Sequence, residues 1–228
     1  MTSAHPLDDP ITTALFGRQS DLAQVKGRVA RYHPDVSVFY GHPRELADDD
    51  WHHLAALSAG STVSMRDRRQ PLPADWELLE SFDLVQYSGE NLDTTDSDGI
   101  GDVIELTAAD VPEMTALVTL TRPGPFRPRT IEMGTYLGVR DDDGSLVAMA
   151  GERMRPDGWT EISGVCTAPS ARGRGLASTL IRAVGAGIRA GGDQPFLHTT
   201  AGNPARKLYE ALGFVLRSEV KLEILRTR

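Results

Sequence analysis

Residues 159–190 read WTEISGVCTAPSARGRGLASTLIRAVGAGIRA, and few folds accommodate that succession. The first nine alternate as a strand does: Trp159, Glu161, Ser163, Val165 and Thr167 point one way, and Thr160, Ile162, Gly164 and Cys166 the other. Pro169 removes a ladder donor and stops the strand. Leu176, Leu180, Ile181, Val184 and Ile188 then recur at helical spacing, and Gly191-Gly192 closes the helix.

Between strand and helix lies Arg172-Gly173-Arg174-Gly175-Leu176-Ala177. The first N–H groups of a helix lack internal partners and together carry about half a positive charge. Gly173 and Gly175 admit a ligand close to the backbone, and Arg172 and Arg174 add full charges beside those amides. A phosphate or pyrophosphate is the expected ligand.

Three phosphate-binding patterns compete for this turn. A P-loop needs Lys-Ser or Lys-Thr after its glycines, and neither follows here. A Rossmann fingerprint needs a third glycine where Ser178 stands and an acidic residue ending a second strand; Asp193 falls in a glycine-rich turn instead. The third pattern, [QR]-x-x-G-x-[GA], is met by Arg172, Gly175 and Ala177. Here the chain resembles the GNAT superfamily of acyl-CoA-dependent N-acyltransferases. Asn203-Pro-Ala-Arg-Lys-Leu-Tyr-Glu-Ala-Leu-Gly-Phe214 is similar to that superfamily's second signature, N-x-x-A-x-x-L-Y-x-x-L-G-F, matching it from Ala205 to Phe214 with one residue fewer between Asn203 and Ala205. Physically it reads as a helix with Asn203 as N-cap, Pro204 next and Gly213 past its end. The resemblance covers about residues 103–228.

Charge divides the chain in a way that suits a polyanionic ligand. Residues 1–102 hold 8 Lys and Arg against 18 Asp and Glu, whereas residues 103–228 hold 16 against 14. An anionic cofactor is attracted to the second half. The net charge of −8 and the lack of a basic run with interleaved aromatics argue against nucleic acid. No apolar run reaches the 18 or so residues of a membrane helix, and the first ten residues show no signal-peptide pattern. A single cysteine excludes an internal disulfide framework and suits a reducing cytoplasm. The six histidines, at 5, 33, 42, 52, 53 and 198, show no metal-ligand spacing, so no metal site is expected. Monomer and homodimer are both compatible with these features.

In chain order, Pro10 begins a short helix ended by Gly17, and Ser20-Asp21 is expected to cap a second through Ala30. Residues 35–40, 61–65 and 82–87 read as strands, and 48–57 as a helix. Residues 1–89 are thus expected to form a small α+β domain without a phosphate loop. The glycine N-acyltransferase-like branch of the superfamily implies a degenerate half-copy of the main fold there; an unrelated α+β cap is the alternative. Acidic, glycine-containing residues 90–102 read as a linker. Residues 103–228 follow a mixed α/β order: strand 103–106, a helix to about Leu120, the Pro-rich stretch 121–129, strands at 136–139 and 146–154 joined by Asp141-Asp-Asp-Gly144, the central strand and loop, strand 194–200, the Asn203 helix, and two closing strands at 214–218 and 220–225. The fold class is α/β with a mixed sheet.

The resemblance further implies that the central strand and the one after the loop helix splay apart around the acyl-pantetheine arm, which bonds the backbone of Val165 and Thr167 beside Cys166. Residues 172–177 with Asn203 complete the expected acetyl-CoA site. Acyl transfer to an amine needs a neutral acceptor, a polarised carbonyl and a proton for the leaving thiolate. Glu161 is the expected base, its carboxyl raised by partial desolvation; Tyr209 is the expected acid near the thioester sulfur. The backbone N–H of Val165 or of a neighbour is the expected oxyanion donor. Cys166, placed opposite Glu161, is expected to be packed, and His198 likewise. Ser163, Phe126, Arg127 and Arg129 are weaker candidates for the acceptor side, the last three as a lid. The expected activity is direct acetyl transfer to a primary amine of a small molecule or peptide. A non-catalytic acyl-CoA sensor, or transfer to a hydroxyl, remain the alternatives.

Overall fold

The computed structural model describes residues 5–95 and 102–228. Along the chain run α1 (Pro10–Phe16), β1 (Ala23–Lys26), β2 (Val29–Tyr32), β3 (Tyr40–Gly41), α2 (Asp48–Ser58), β4 (Val63–Arg66), β5 (Trp76–Ser88), β6 (Val103–Leu106), α3 (Val111–Thr121), β7 (Tyr136–Arg140), β8 (Leu146–Glu152), β9 (Trp159–Thr167), α4 (Leu176–Ala190), β10 (Gln194–Thr200), α5 (Arg206–Ala211) and β11 (Val215–Thr227). Strands β1, β2 and β3 make a small antiparallel sheet, and the rest form one sheet in the order β4-β11-β5-β10-β9-β8-β7-β6.

The sheet is antiparallel except where β9 and β10 run parallel, since a helical crossover, α4, joins them. That pairing covers Gln194–Trp159, Pro195–Thr160 and Phe196–Glu161 and then stops. Beyond it the two strands part, as the resemblance implied. The apolar face of α4 closes one side of the sheet, with Leu180 and Ile181 fully buried and Leu176, Val184 and Ile188 nearly so. Burying each such side chain is worth roughly 1.5–3 kcal/mol.

Strand β9 does not keep its sequence alternation. Gly151 of β8 pairs with Ser163 and Met149 with Cys166, so three steps on β9 oppose two on β8. This is a bulge, and Gly164 at φ +64° supplies the left-handed backbone it needs. The extra residue inverts the pattern beyond it. Cys166 therefore shares the face of Ser163 and Glu161, not the opposite one as the simple alternation suggested.

Other expectations also change. Residues 20–30 are not a helix: β1 and β2 form a hairpin there, because Val29–Tyr32 are buried and paired on both edges. The two expected closing strands are one, β11, pinned over thirteen residues to an equally long β5, with a register shift between Leu216 and Ser218. Helix α5 begins at Arg206, and Asn203 is no N-cap: its Oδ1 accepts from the Ala205 N–H at 2.9 Å while its Nδ2 donates to Thr199 Oγ1 at 2.7 Å. Strands β4 and β5 lie inside the large sheet, so the sheet crosses the expected boundary at residues 89–90. Part of the expected linker falls outside the described residues; the described part is anchored. Leu92 is buried, Arg189 of α4 donates to the carbonyls of Gly89, Glu90 and Leu92, and Arg182 pairs with Asp93.

Candidate active site

The parting of β9 and β10 opens a cleft of about 850 Å³. One end reaches the start of α4, where Gly173 (φ +78°) and Gly175 (φ +79°) bend the backbone into the left-handed region. Among the described residues, no hydrogen bond takes the N–H groups of Gly173 through Ser178, and a Cβ at Gly173 would meet nothing within 4 Å. These open amides at the head of a fifteen-residue helix suit the diphosphate of a nucleotide thioester. Arg172 lines the cleft beside them, half-tethered by Nε to the Thr167 carbonyl at 3.4 Å, while Arg174 turns away to Asp141. Leu176 contributes its amide only, because its side chain is in the core. Ala177 faces the cleft.

Midway, Val165, Cys166 and Thr167 of β9 and Asn203 and Tyr209 face one another across the gap. Thr167 Oγ1 is buried there without a hydrogen-bond partner among the described residues. The Tyr209 ring is wedged between Tyr87 and Phe214, at centroid distances of 6.3 and 6.1 Å, and its hydroxyl makes no hydrogen bond to them. Burial pushes that hydroxyl above its ordinary value, so it keeps its proton at neutral pH. Burial likewise pushes the Cys166 thiol up to about 11, which leaves it protonated and a poor nucleophile.

Glu161 departs furthest from expectation. It is fully buried and does not line the cleft. Arg153, which follows β8, grips it with a two-pronged pair, Nε and Nη2 each at 2.7 Å from a carboxylate oxygen. His198 Nδ1 is 2.8 Å from the same carboxylate. Burial alone would raise this carboxyl; the charge and hydrogen bonds of Arg153, with that of His198, override it and hold it at about 2. The expected raised value is therefore corrected: Glu161 is an ionised, fully bonded anion. His198 does line the cleft, though its ring is nearly buried. Its Nε2 lies 2.9 Å from Arg66 Nη1 and 3.0 Å from Gln86 Nε2, both donors. Nδ1 thus carries the proton donated to Glu161, and the ring is neutral; burial lowers its affinity for a second proton.

The lid candidates divide. Phe126 packs edge-on against Tyr136 at 5.8 Å beside the cleft, whereas Arg129 is paired with Glu132 on the surface, and neither it nor Arg127 lines the cleft. Arg122 and Pro123 to Pro125 stand at the rim instead. Sequence reasoning missed Arg153, Arg66 and Gln86. Arg153 alone carried a signal, since the hairpin register places it opposite Glu161.

A mixed sheet parted at one parallel pair, with open helix amides at the mouth of the gap, is the arrangement the resemblance implied. The comparisons agree. A family model described as FR47-like protein matches residues 136–222. An acetyltransferase of the GNAT family from Novosphingobium aromaticivorans is 39% identical, with a TM-score of 0.86 over 98% of this chain and 99% of its own. A GCN5-related N-acetyltransferase from Kribbella flavida shares the fold at 17% identity (TM-score 0.64, 95% and 94% covered). A GCN5-related N-acetyltransferase-like protein from Streptococcus suis does so at 14% (0.60, 96% and 92%). A comparison with curated proteins finds no match. The chain belongs to the GNAT family of acetyltransferases.

Proposed function

We propose that this protein transfers the acetyl group of acetyl-CoA to a primary amine by direct attack in a ternary complex. The observation that carries the reading is one cleft lined by Arg172 and Ala177 beside the open amides at the head of α4, by the parted stretch of β9, and by Tyr209. The diphosphate lies on those amides and Arg172, the pantetheine arm runs along Val165–Thr167, and the thioester stops near Tyr209. The amine nitrogen bonds to the acetyl carbon and the carbon–sulfur bond breaks. Of the two protons the ammonium loses, one goes to solvent and one ends on the thiolate, supplied through Tyr209. The Val165 amide, on the stretch of β9 beyond its last pairing with β10, serves as the oxyanion donor.

Glu161 enters this scheme as a positioning residue. With both oxygens bonded inside the protein, it holds Arg153 in place and selects the His198 tautomer. The acceptor therefore loses its proton to solvent before attack, and kcat/KM climbs with pH until the amine itself is neutral. The compartment we assign is the cytoplasm, supported by one buried free thiol; no described helix is long and apolar enough to cross a membrane.

Two measurements test this. Calorimetry should detect acetyl-CoA binding to the purified chain, and thiol release should appear with an amine and acetyl-CoA together. Tyr209→Phe should lower kcat about 100-fold with acetyl-CoA affinity unchanged. An unchanged kcat removes Tyr209 from the reaction, and no binding heat removes the reading altogether.

A further inference from the structure

The far end of the cleft, away from α4, is built differently. Phe82 and Leu84 of β5, Leu222 and Ile224 of β11, and Val38 and Phe39 from the N-terminal half form an apolar wall. Among the described residues, no Asp or Glu lines the cleft. Of the cations that line the cleft, Arg153 is the most buried: its side chain is 12% exposed and its guanidinium lies 4.8 Å over the Phe39 ring. Its Nε and Nη2 are spent on Glu161, but its Nη1 makes no hydrogen bond among the described residues, and neither does Ser163 Oγ. Both side chains also line a small recess beneath Pro123–Phe126, next to the Gly164 bulge. Behind this recess His198 is neutral, Arg66 is offset by Asp67 at 3.7 Å and by Asp9, and Glu161 is the buried partner of Arg153. What Arg153 still offers an anion is its open Nη1, with the Ser163 hydroxyl lining the same recess.

We propose that the acceptor is a free α-amino acid with an apolar side chain. Its carboxylate is held by Arg153 Nη1 and Ser163 Oγ, its side chain lies on the apolar wall, and its amine is turned toward the thioester. This rests on the acetyltransfer reading and adds no step to it: the same carbon–nitrogen bond forms and the same carbon–sulfur bond breaks. The free Nη1 of Arg153 offers a carboxylate a charged, directional donor that an ammonium ion cannot use. A polyamine would find no carboxylate to pair with.

The test compares matched acceptors with the full-length protein, acetyl-CoA and a thiol-release assay: L-leucine and L-phenylalanine, isoamylamine and phenethylamine (the same groups without the carboxylate), glycine (without the side chain) and spermidine. We expect kcat/KM for leucine or phenylalanine at least tenfold above the decarboxylated partner, and above glycine and spermidine. Ser163→Ala should raise KM for leucine several-fold at near-constant kcat while leaving KM for isoamylamine in place. Equal or better turnover of the decarboxylated amines, glycine or spermidine overturns the proposal, as does acetyl-CoA binding with no turnover of either amino acid. Those outcomes leave the cofactor site standing, whereas absence of acetyl-CoA binding in calorimetry removes the acetyltransfer reading itself.

Discussion

Arg153, Glu161 and His198 show how much a residue's chemistry depends on what surrounds it. A strand glutamate beside a tryptophan reads as a desolvated base, and desolvation is indeed the largest influence on Glu161. Arg153 wins because it is within 2.7 Å and largely buried, where charge–charge attraction is less screened. Removing one partner of a buried pair strands the other, at a cost of about 3–5 kcal/mol. Glu161→Gln is therefore expected to lower unfolding free energy by roughly 3 kcal/mol in urea titrations; a loss below 1 kcal/mol would contradict the pairing. The pH dependence has a definite sign. Glu161 and His198 both bind a proton less readily folded than unfolded, so acid favours the unfolded chain. Stability is full above the ordinary histidine value of 6.5, declines below it as unfolded His198 takes up a proton, and declines again from 4.5 toward 2 through Glu161. Urea midpoints from pH 8 to 4 should fall, and His198→Gln should flatten the step near pH 6.5. A midpoint that rises on acidification would refute the assignment of a neutral, buried His198.

At the scale of elements, the head of α4 and the bulge in β9 have different origins. The amides of residues 176–178 are open because a helix cannot satisfy its own first donors, a property of any sequence that starts a helix here; those of 173–175 belong to the glycine turn before it. Gly173 has open space around it, so only its φ of +78° opposes a side chain. Gly173→Ala should cost about 1–2 kcal/mol of strain and weaken acetyl-CoA binding several-fold, read by calorimetry beside thermal unfolding. An affinity equal to that of the unaltered protein would mean that this turn does not hold the diphosphate. The bulge, in contrast, is imposed by the register of β8. Nothing in the alternation of residues 159–167 marks it except Gly164, and a lone glycine in a strand has several readings.

The whole molecule is knit through its sheet. Strand β5, from the N-terminal half, lies between β10 and β11 of the C-terminal half and pairs with β11 along its whole length. A fragment of residues 103–228 would keep both motifs yet expose the edges of β10 and β11 where β5 belongs, an invitation to aggregation. It should be insoluble or lack cooperative thermal unfolding by circular dichroism, while the full chain melts cooperatively. A folded, acetyl-CoA-binding fragment would show that the C-terminal half stands alone. The sequence reading placed a boundary at residue 89 because composition changes there. Strand pairing across a boundary leaves no trace in composition, and β5 and β11 are about 130 residues apart in the chain.

What this sequence determined alone was whatever rests on neighbours along the chain: the strand, the glycine turn, the helix start and its open amides, the α5 signature, and from these the family and the phosphate end of the cleft. Periodicity, caps and φ preferences act over a few residues, so they can be read there. Tertiary structure decided the rest. The charge state of Glu161 depends on Arg153 and on His198, itself held by Arg66 and Gln86, and the apolar wall joins residues from Val38 to Ile224. Electrostatic and hydrophobic interactions act through space, and only folding brings these side chains within their range.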